Sequence, residues 1–214
     1  MPPEQDLTIK AARLLQQQYR VKSGVKINIH KQIPIGGGLG GGSSDAATTL
    51  MALNKIWQLE LTSEQLQNTA LQLGADVPFF IFGRNAWAEG IGELLTAIDL
   101  AACWYLIVHP NIFVSTRQIF SAQDLTRDCH PITIRAFLEG AGSNVCEPVA
   151  CKLYPRIQRA ISWLNRFSPA RMTGTGACIF AAFDSAEKAN IVKSQLPAEW
   201  SGYVAQGLAT NPVA

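Results

Sequence analysis

The sequence predicts an α+β fold. Three observations carry that expectation: apolar residues recur at helical spacing up to Leu73, glycine-punctuated strand patterns follow, and no regular strand–helix–strand alternation runs along the chain. With 214 residues, 48% of them hydrophobic, there is enough apolar surface for one large domain or two small ones.

Asp6 is placed to cap a first helix in which Leu7, Ala11, Leu14 and Leu15 share one face. Val25 to His30 alternates apolar and polar residues, as a half-buried strand does. The loop Ile33 to Ser44 holds six glycines between Gly36 and Gly42, and a second helix is expected from about Ser43, with Ala46, Leu50, Leu53 and Trp57 on its buried stripe. Thr62 and Gln65 form a capping box for a third helix reaching about Leu73. Gly74 and the connection Ala75 to Pro78 then lead into the apolar run Phe79 to Phe82.

Ala86 to Ala97 reads as a hairpin around Gly90 and Gly92, and Trp104 to His109 as a buried strand. Short helices are expected over Ser115 to Phe120 and Ile132 to Leu138. One or two more are expected over Cys146 to Phe167, interrupted near Pro155. Met172 to Phe183 is a glycine-bearing strand region, Ala186 to Leu196 a helix, and Tyr203 to Leu208 a last strand.

Composition narrows the function. Charged residues are 16% of the chain, the formal net charge is +2, and no lysine or arginine run is interleaved with aromatics, so a nucleic-acid partner is not expected. No apolar stretch has the length of a membrane span. The five cysteines form no CxxC pair, and the three histidines have no metal-site spacing. Reduced thiols in a cytoplasmic protein are expected, with Cys178 a buried structural thiol.

The glycine loop carries the chemistry. Glycine lets the backbone approach a ligand closely and adopt positive φ, and a following helix N-terminus presents unpaired N–H groups at the positive end of its dipole. Together these make an anion site suited to phosphate. Ser43 and Ser44 add hydroxyls that can cap the helix or help ligate Mg²⁺, and Asp45 reads as a helix starter. No lysine lies between Gly36 and Asp45, which excludes a Walker A loop. Gly36, Gly38 and Gly41 satisfy GxGxxG. The dinucleotide reading also needs a second strand ending in an acid, and the helix capped by Thr62 stands there instead.

The run from Pro34 to Ala47 (PIGGGLGGGSSDAA) resembles the central motif of the GHMP kinases. Its continuation through Leu53, Asn54 and Trp57 is similar to the 4-diphosphocytidyl-2-C-methyl-D-erythritol kinases within that group. Leu73 to Phe80 (LGADVPFF), Ala88 to Glu93 (AEGIGE) and Arg171 to Phe180 (RMTGTGACIF) agree in the same order. The resemblance implies a fold of two α+β subdomains, a ribosomal protein S5 domain 2-like N-terminal part over residues 1–84 and a ferredoxin-like C-terminal part over 85–214. It places ATP and substrate in the cleft between them.

It implies, further, transfer of the ATP γ-phosphoryl group to the 2-hydroxyl of 4-diphosphocytidyl-2-C-methyl-D-erythritol, a step of the non-mevalonate route to isoprenoid precursors. ATP would be held by Pro34, Ile35, Gly36, Gly37, Gly38, Leu39, Gly40, Gly41, Gly42, Ser43 and Ser44. Asp76 falls on the catalytic aspartate, although alone it reads as a turn or cap residue before Pro78. Thr116 falls on a substrate contact, with helix capping as the alternative. Met172 to Cys178 falls on a glycine turn beside the phosphate loop; unaided it reads as a strand bulge. Lys31 lies near the nucleotide or at a solvated strand end, and Glu89 and Glu93 read as hairpin residues. Phosphoryl transfer calls for Mg²⁺, and oligomeric state is not written in the sequence.

The family pattern also opens with a strand region carrying a Pro-Ala-Lys-Leu-Asn-like segment, whose lysine the resemblance makes the partner of the catalytic aspartate. These 214 residues do not contain it. A fragment, or a start codon assigned too far downstream, is therefore expected, with an unpaired sheet edge where those strands belong. The alternatives are a truncated, non-catalytic nucleotide-binding module and another GHMP small-molecule kinase.

Overall fold

The computed structural model describes residues 3–213. The chain forms two compact units. One comprises residues 3–32, 40–100 and 208–213; the other comprises 33–39 and 101–207. Within the first unit, the C-terminal segment is hydrogen-bonded to the stretch that precedes the hairpin. Asn85 N–H donates to Ala209 O at 3.4 Å, and Asn211 N–H to Gly83 O at 2.8 Å.

The first unit contains α1 (Leu7–Tyr19), α2 (Gly41–Ile56), α3 (Ser63–Leu71), α4 (Val77–Phe82) and the antiparallel hairpin of β1 (Ala86–Glu89) and β2 (Leu94–Ala97). Asp6 caps α1, accepting from Thr8 N–H at 2.9 Å. Thr62 and Gln65 make the reciprocal capping box of α3 at 3.2 and 2.8 Å. Ala11, Ala12 and Leu15 of α1 meet Ala46, Ala47, Leu50 and Leu53 of α2 in a core completed by Leu66, Ala70, Val77 and Ile81. The alanines leave room for close helix approach, so the core depends on backbone proximity as much as on large side chains.

The second unit contains β3 (Trp104–His109), α5 (Thr116–Phe120), α6 (Ile134–Leu138), α7 (Cys146–Leu153), α8 (Pro155–Leu164), β4 (Ala170–Met172), β5 (Ile179–Phe183), α9 (Ala186–Lys193) and β6 (Ser201–Gln206). Its strands form an antiparallel sheet in the order β4-β5-β3-β6, a split βαβ arrangement of the ferredoxin-like type. Alternate residues Leu106, Val108, Ile179 and Ala181 are buried on one face. They share a core with Ile157, Ala160, Ile161 and Leu164 of α8 and Ala189 and Val192 of α9. Pro155 breaks the helical run where expected: Tyr154, before it, takes φ −132° and ψ 82°, and Pro155 opens α8.

Two local expectations are corrected. Val25 to His30 is not a strand. Alternation makes a strand only where a neighbour supplies the ladder, and among the described residues none pairs with it. The second helix begins at Gly41, before either serine. Met172 to Phe183 is the glycine-bearing strand region expected, made of the last residue of β4, a tight turn and the whole of β5. Among the described residues no helix is long and apolar enough to cross a membrane.

Candidate active site

The glycine loop crosses from one unit to the other between Leu39 and Gly40. In the second unit, its first half lies on the turn between β4 and β5. Thr173 N–H donates to Cys178 O at 2.9 Å and Gly176 N–H to Thr173 O at 2.8 Å, closing that turn. The turn then holds the loop by its carbonyls. Cys178 N–H donates to Gly37 O at 3.0 Å, and the Thr173 hydroxyl donates to Gly38 O and, at 3.4 Å, to Gly37 O.

In a trans peptide unit the C=O and the following N–H point in opposite directions. Anchoring the Gly37 and Gly38 carbonyls in the turn therefore aims the Gly38 and Leu39 N–H groups away from it, on the open side of the loop. Gly38 has φ +73°, and a Cβ there would stand 2.5 Å from Thr173 O and 2.9 Å from Gly176 O, so the approach requires glycine.

In the first unit, Gly40 caps α2 with φ +68° and no side-chain hydrogen bond, and Ser44 N–H closes the first helical turn on Gly40 O at 2.9 Å. Neither Ser43 nor Ser44 is the cap. A cap without a side chain leaves the first N–H groups of a 16-residue helix to a ligand, on the positive end of the dipole. Phe80 of α4 packs under Gly40, its ring 2.9 Å from where a Cβ would sit.

Asp76 occupies the cap position of α4, yet its carboxylate makes no cap hydrogen bond. It is exposed, and among the described residues no hydrogen bond or ion pair engages it. The hairpin tip closes on its neighbour: a Cβ at Gly92 would lie 3.3 Å from Ala75 O. Glu93 is the structural residue expected, accepting from Ile91 N–H at 2.7 Å within the hairpin turn.

Lys31 bridges Asp45, at 2.5 Å, and Asp6, at 3.6 Å. The hydrogen bond to Asp45 raises the lysine pKa above its ordinary value against the opposing effect of burial. Asp6 is shifted down: burial opposes the shift, and hydrogen bonds from Thr8 with the nearby Lys31 charge outweigh it. Lys31 thus ties the approach to the loop to the first turns of α1 and α2.

In the second unit Ser115, not Thr116, caps α5, accepting from Gln118 N–H at 3.3 Å. The exposed Thr116 hydroxyl instead meets the Thr175 hydroxyl of the glycine turn at 3.0 Å.

Residues 6–84 match the GHMP kinases N terminal domain and residues 128–202 the GHMP kinases C terminal. A 4-diphosphocytidyl-2-C-methyl-D-erythritol kinase of Nitrosococcus oceani is 56% identical over 207 residues, covering 97% of this chain and 74% of that protein. The chain belongs to this kinase family. A relative of the same name from Alkalilimnicola ehrlichii is 52% identical over 99% of this chain and 72% of its own length. The crystal structure of a 4-(cytidine 5'-diphospho)-2C-methyl-D-erythritol kinase superposes with a TM-score of 0.84 at 29% identity, covering 96% of this chain and 79% of that one. A homoserine kinase from Cytophaga hutchinsonii, at 16% identity and a TM-score of 0.67, shares the fold.

A GHMP kinase uses ATP, and this chain spans about three quarters of the curated relatives it matches. Two residues carry no mark in the sequence: Thr173, whose hydroxyl holds the glycine loop, and Asn144, whose amide holds the β4–β5 turn. Their side chains act on carbonyls distant in sequence, and no local pattern marks such contacts. Cys178 is fully buried, and burial pushes its thiol up to about 12, as a structural thiol requires.

Proposed function

We propose that this chain carries out ATP-dependent phosphorylation of the 2-hydroxyl of 4-diphosphocytidyl-2-C-methyl-D-erythritol, a step toward isoprenoid precursors in the cytoplasm. The observation that carries the reading is the phosphate loop: two carbonyls drawn into the β4–β5 turn, and a glycine-capped helix whose first N–H groups carry no side-chain cap. Residues Pro34 to Ser44 hold the nucleotide phosphates through backbone N–H groups. Asp76, exposed and, among the described residues, spent on no cap or ion pair, accepts the proton of the attacking hydroxyl. Thr116 contacts the alcohol substrate.

Magnesium bound mainly by nucleotide oxygens needs few protein ligands. That suits a chain in which, among the described residues, no three carboxylate, imidazole or thiol side chains gather. Ser44, in the first turn of α2, supplies the hydroxyl the chain offers it, and the ion when bound would neutralise phosphate charge.

Purified protein assayed with ATP and a panel of 4-diphosphocytidyl-2-C-methyl-D-erythritol, mevalonate and homoserine tests the reading. Turnover of the first is expected. Turnover of mevalonate or homoserine alone overturns it, as does turnover of none by a version extended upstream into the family's lysine segment.

A further inference from the structure

We propose that Asn144, assisted by Glu147, is a positioning residue for the phosphate loop, acting through the turn between β4 and β5. The proposal rests on the reading of that loop as the nucleotide site. Asn144 stands at the start of α7, and its side chain reaches two backbone carbonyls there: Nδ2 donates to Met172 O at 3.0 Å and to Gly174 O at 2.7 Å. Its Oδ1 accepts from Cys146 N–H at 3.0 Å, which fixes the amide orientation. One helical turn on, Glu147 Oε2 accepts from Met172 N–H at 2.9 Å. Both backbone polar groups of Met172, the last residue of β4, are therefore held from α7.

The opposite side of the same turn carries the loop, through Cys178 N–H and the Thr173 hydroxyl. Two of the residues between are glycines with positive φ, Gly174 at +48° and Gly176 at +94°. Glycine has the largest conformational freedom to lose, so the two hydrogen bonds that close the turn leave it pliant. A hold from outside the turn keeps Gly37 and Gly38 in register. Asn144 does so, and thereby sets the direction of the Gly38 and Leu39 N–H groups without touching the nucleotide.

The bland alternative is that Asn144 only supports the first turn of α7. Asn144→Asp separates the two. Aspartate keeps the acceptor for Cys146 N–H and suits a helix start. It removes the donor and sets a carboxylate oxygen against two carbonyls. Two readouts apply: affinity for ADP by titration calorimetry, and hydrogen exchange of the Cys178 amide, which reports the bond to Gly37 independently of activity.

In Asn144→Asp the loss of two hydrogen bonds should weaken ADP binding about tenfold or more and speed Cys178 exchange by a similar factor. KM for the alcohol should change much less than KM for ATP. Ser185→Ala, which removes the cap of α9 far from the loop, should lower the melting temperature and leave ADP affinity unchanged. Should Asn144→Asp fail to fold, Asn144→Ser, whose hydroxyl can still cap α7 but falls short of the two carbonyls, takes its place with the same expectation.

A folded variant with ADP affinity and Cys178 exchange both within twofold of the unaltered protein overturns the proposal. If the unaltered protein does not bind ADP, the nucleotide reading fails. The clamp is then judged on Cys178 exchange alone, and unchanged exchange overturns it.

Discussion

Replacing Gly38 by alanine tests the geometry of the glycine loop most directly. The added Cβ meets Thr173 O at 2.5 Å, the Thr173 hydroxyl at 2.7 Å and Gly176 O at 2.9 Å, and two of these atoms are backbone. No side-chain rotation relieves that, so loop and turn must separate, and the bonds from Thr173 and Cys178 to the Gly37 and Gly38 carbonyls go with them. The residue must also keep φ near +73°, which costs alanine about 1–2 kcal/mol.

With about 1 kcal/mol for each hydrogen bond lost, the native loop conformation is disfavoured by roughly 3–4 kcal/mol. If ATP binds only that conformation, its apparent affinity falls on the order of a hundredfold or more. KM for ATP, nucleotide titration and a thermal melt measure it. Gly24→Ala serves as the control, because its Cβ meets nothing within 4 Å and its φ is not positive; it should leave ATP affinity unchanged. A Gly38→Ala protein with ATP affinity within a factor of two of the unaltered chain would refute the account of the loop as a backbone cradle held by the turn.

Asp76→Asn should lower kcat about 10²- to 10⁴-fold at unchanged melting temperature, since among the described residues the carboxylate makes no cap bond or ion pair that stability depends on; full activity would remove it from the reaction. Lys31→Met should cost roughly 1 kcal/mol or less at neutral pH. The lysine pKa is raised in the fold, so its contribution is complete below the ordinary value of 10.5 and is lost as pH rises through the folded value. Melting curves of the two proteins should converge at the alkaline end, and a gap that persists there would point to packing instead. Native labelling with a maleimide at pH 8, read by mass spectrometry, should modify exposed Cys129 and spare Cys178, whose thiol burial pushes up to about 12; early loss of Cys178 would contradict its placement in the core.

Much of the fold was legible because its signals are local. Thr62 and Gln65 stand three residues apart and close a capping box wherever the following residues are helical. Pro155 forbids a continuous helix through Tyr154 whatever surrounds it. Val25 to His30 shows the limit: alternation states which side chains belong on which face, but a strand exists only if a neighbour completes its hydrogen bonds. At α2 a serine is the better side-chain cap by propensity. Gly40 took the position because the loop reaches it at positive φ with Phe80 against its α-carbon.

The same division runs through the candidate site. By itself, the order of residues determined the family, the glycine-rich character of Pro34 to Ser44 and the choice of Asp76 as the carboxylate to test. These depend on residue type and spacing along one stretch of chain. Which N–H groups of the loop face outward, that Thr116 meets Thr175, and that Asn144 grips the turn beneath the loop were decided only in three dimensions. Each of the two side-chain contacts joins residues tens of positions apart, and the outward aim of the loop N–H groups follows from bonds between residues more than a hundred positions apart. Such pairings come from the packing of β4, β5 and α7, and no local pattern in the sequence encodes them.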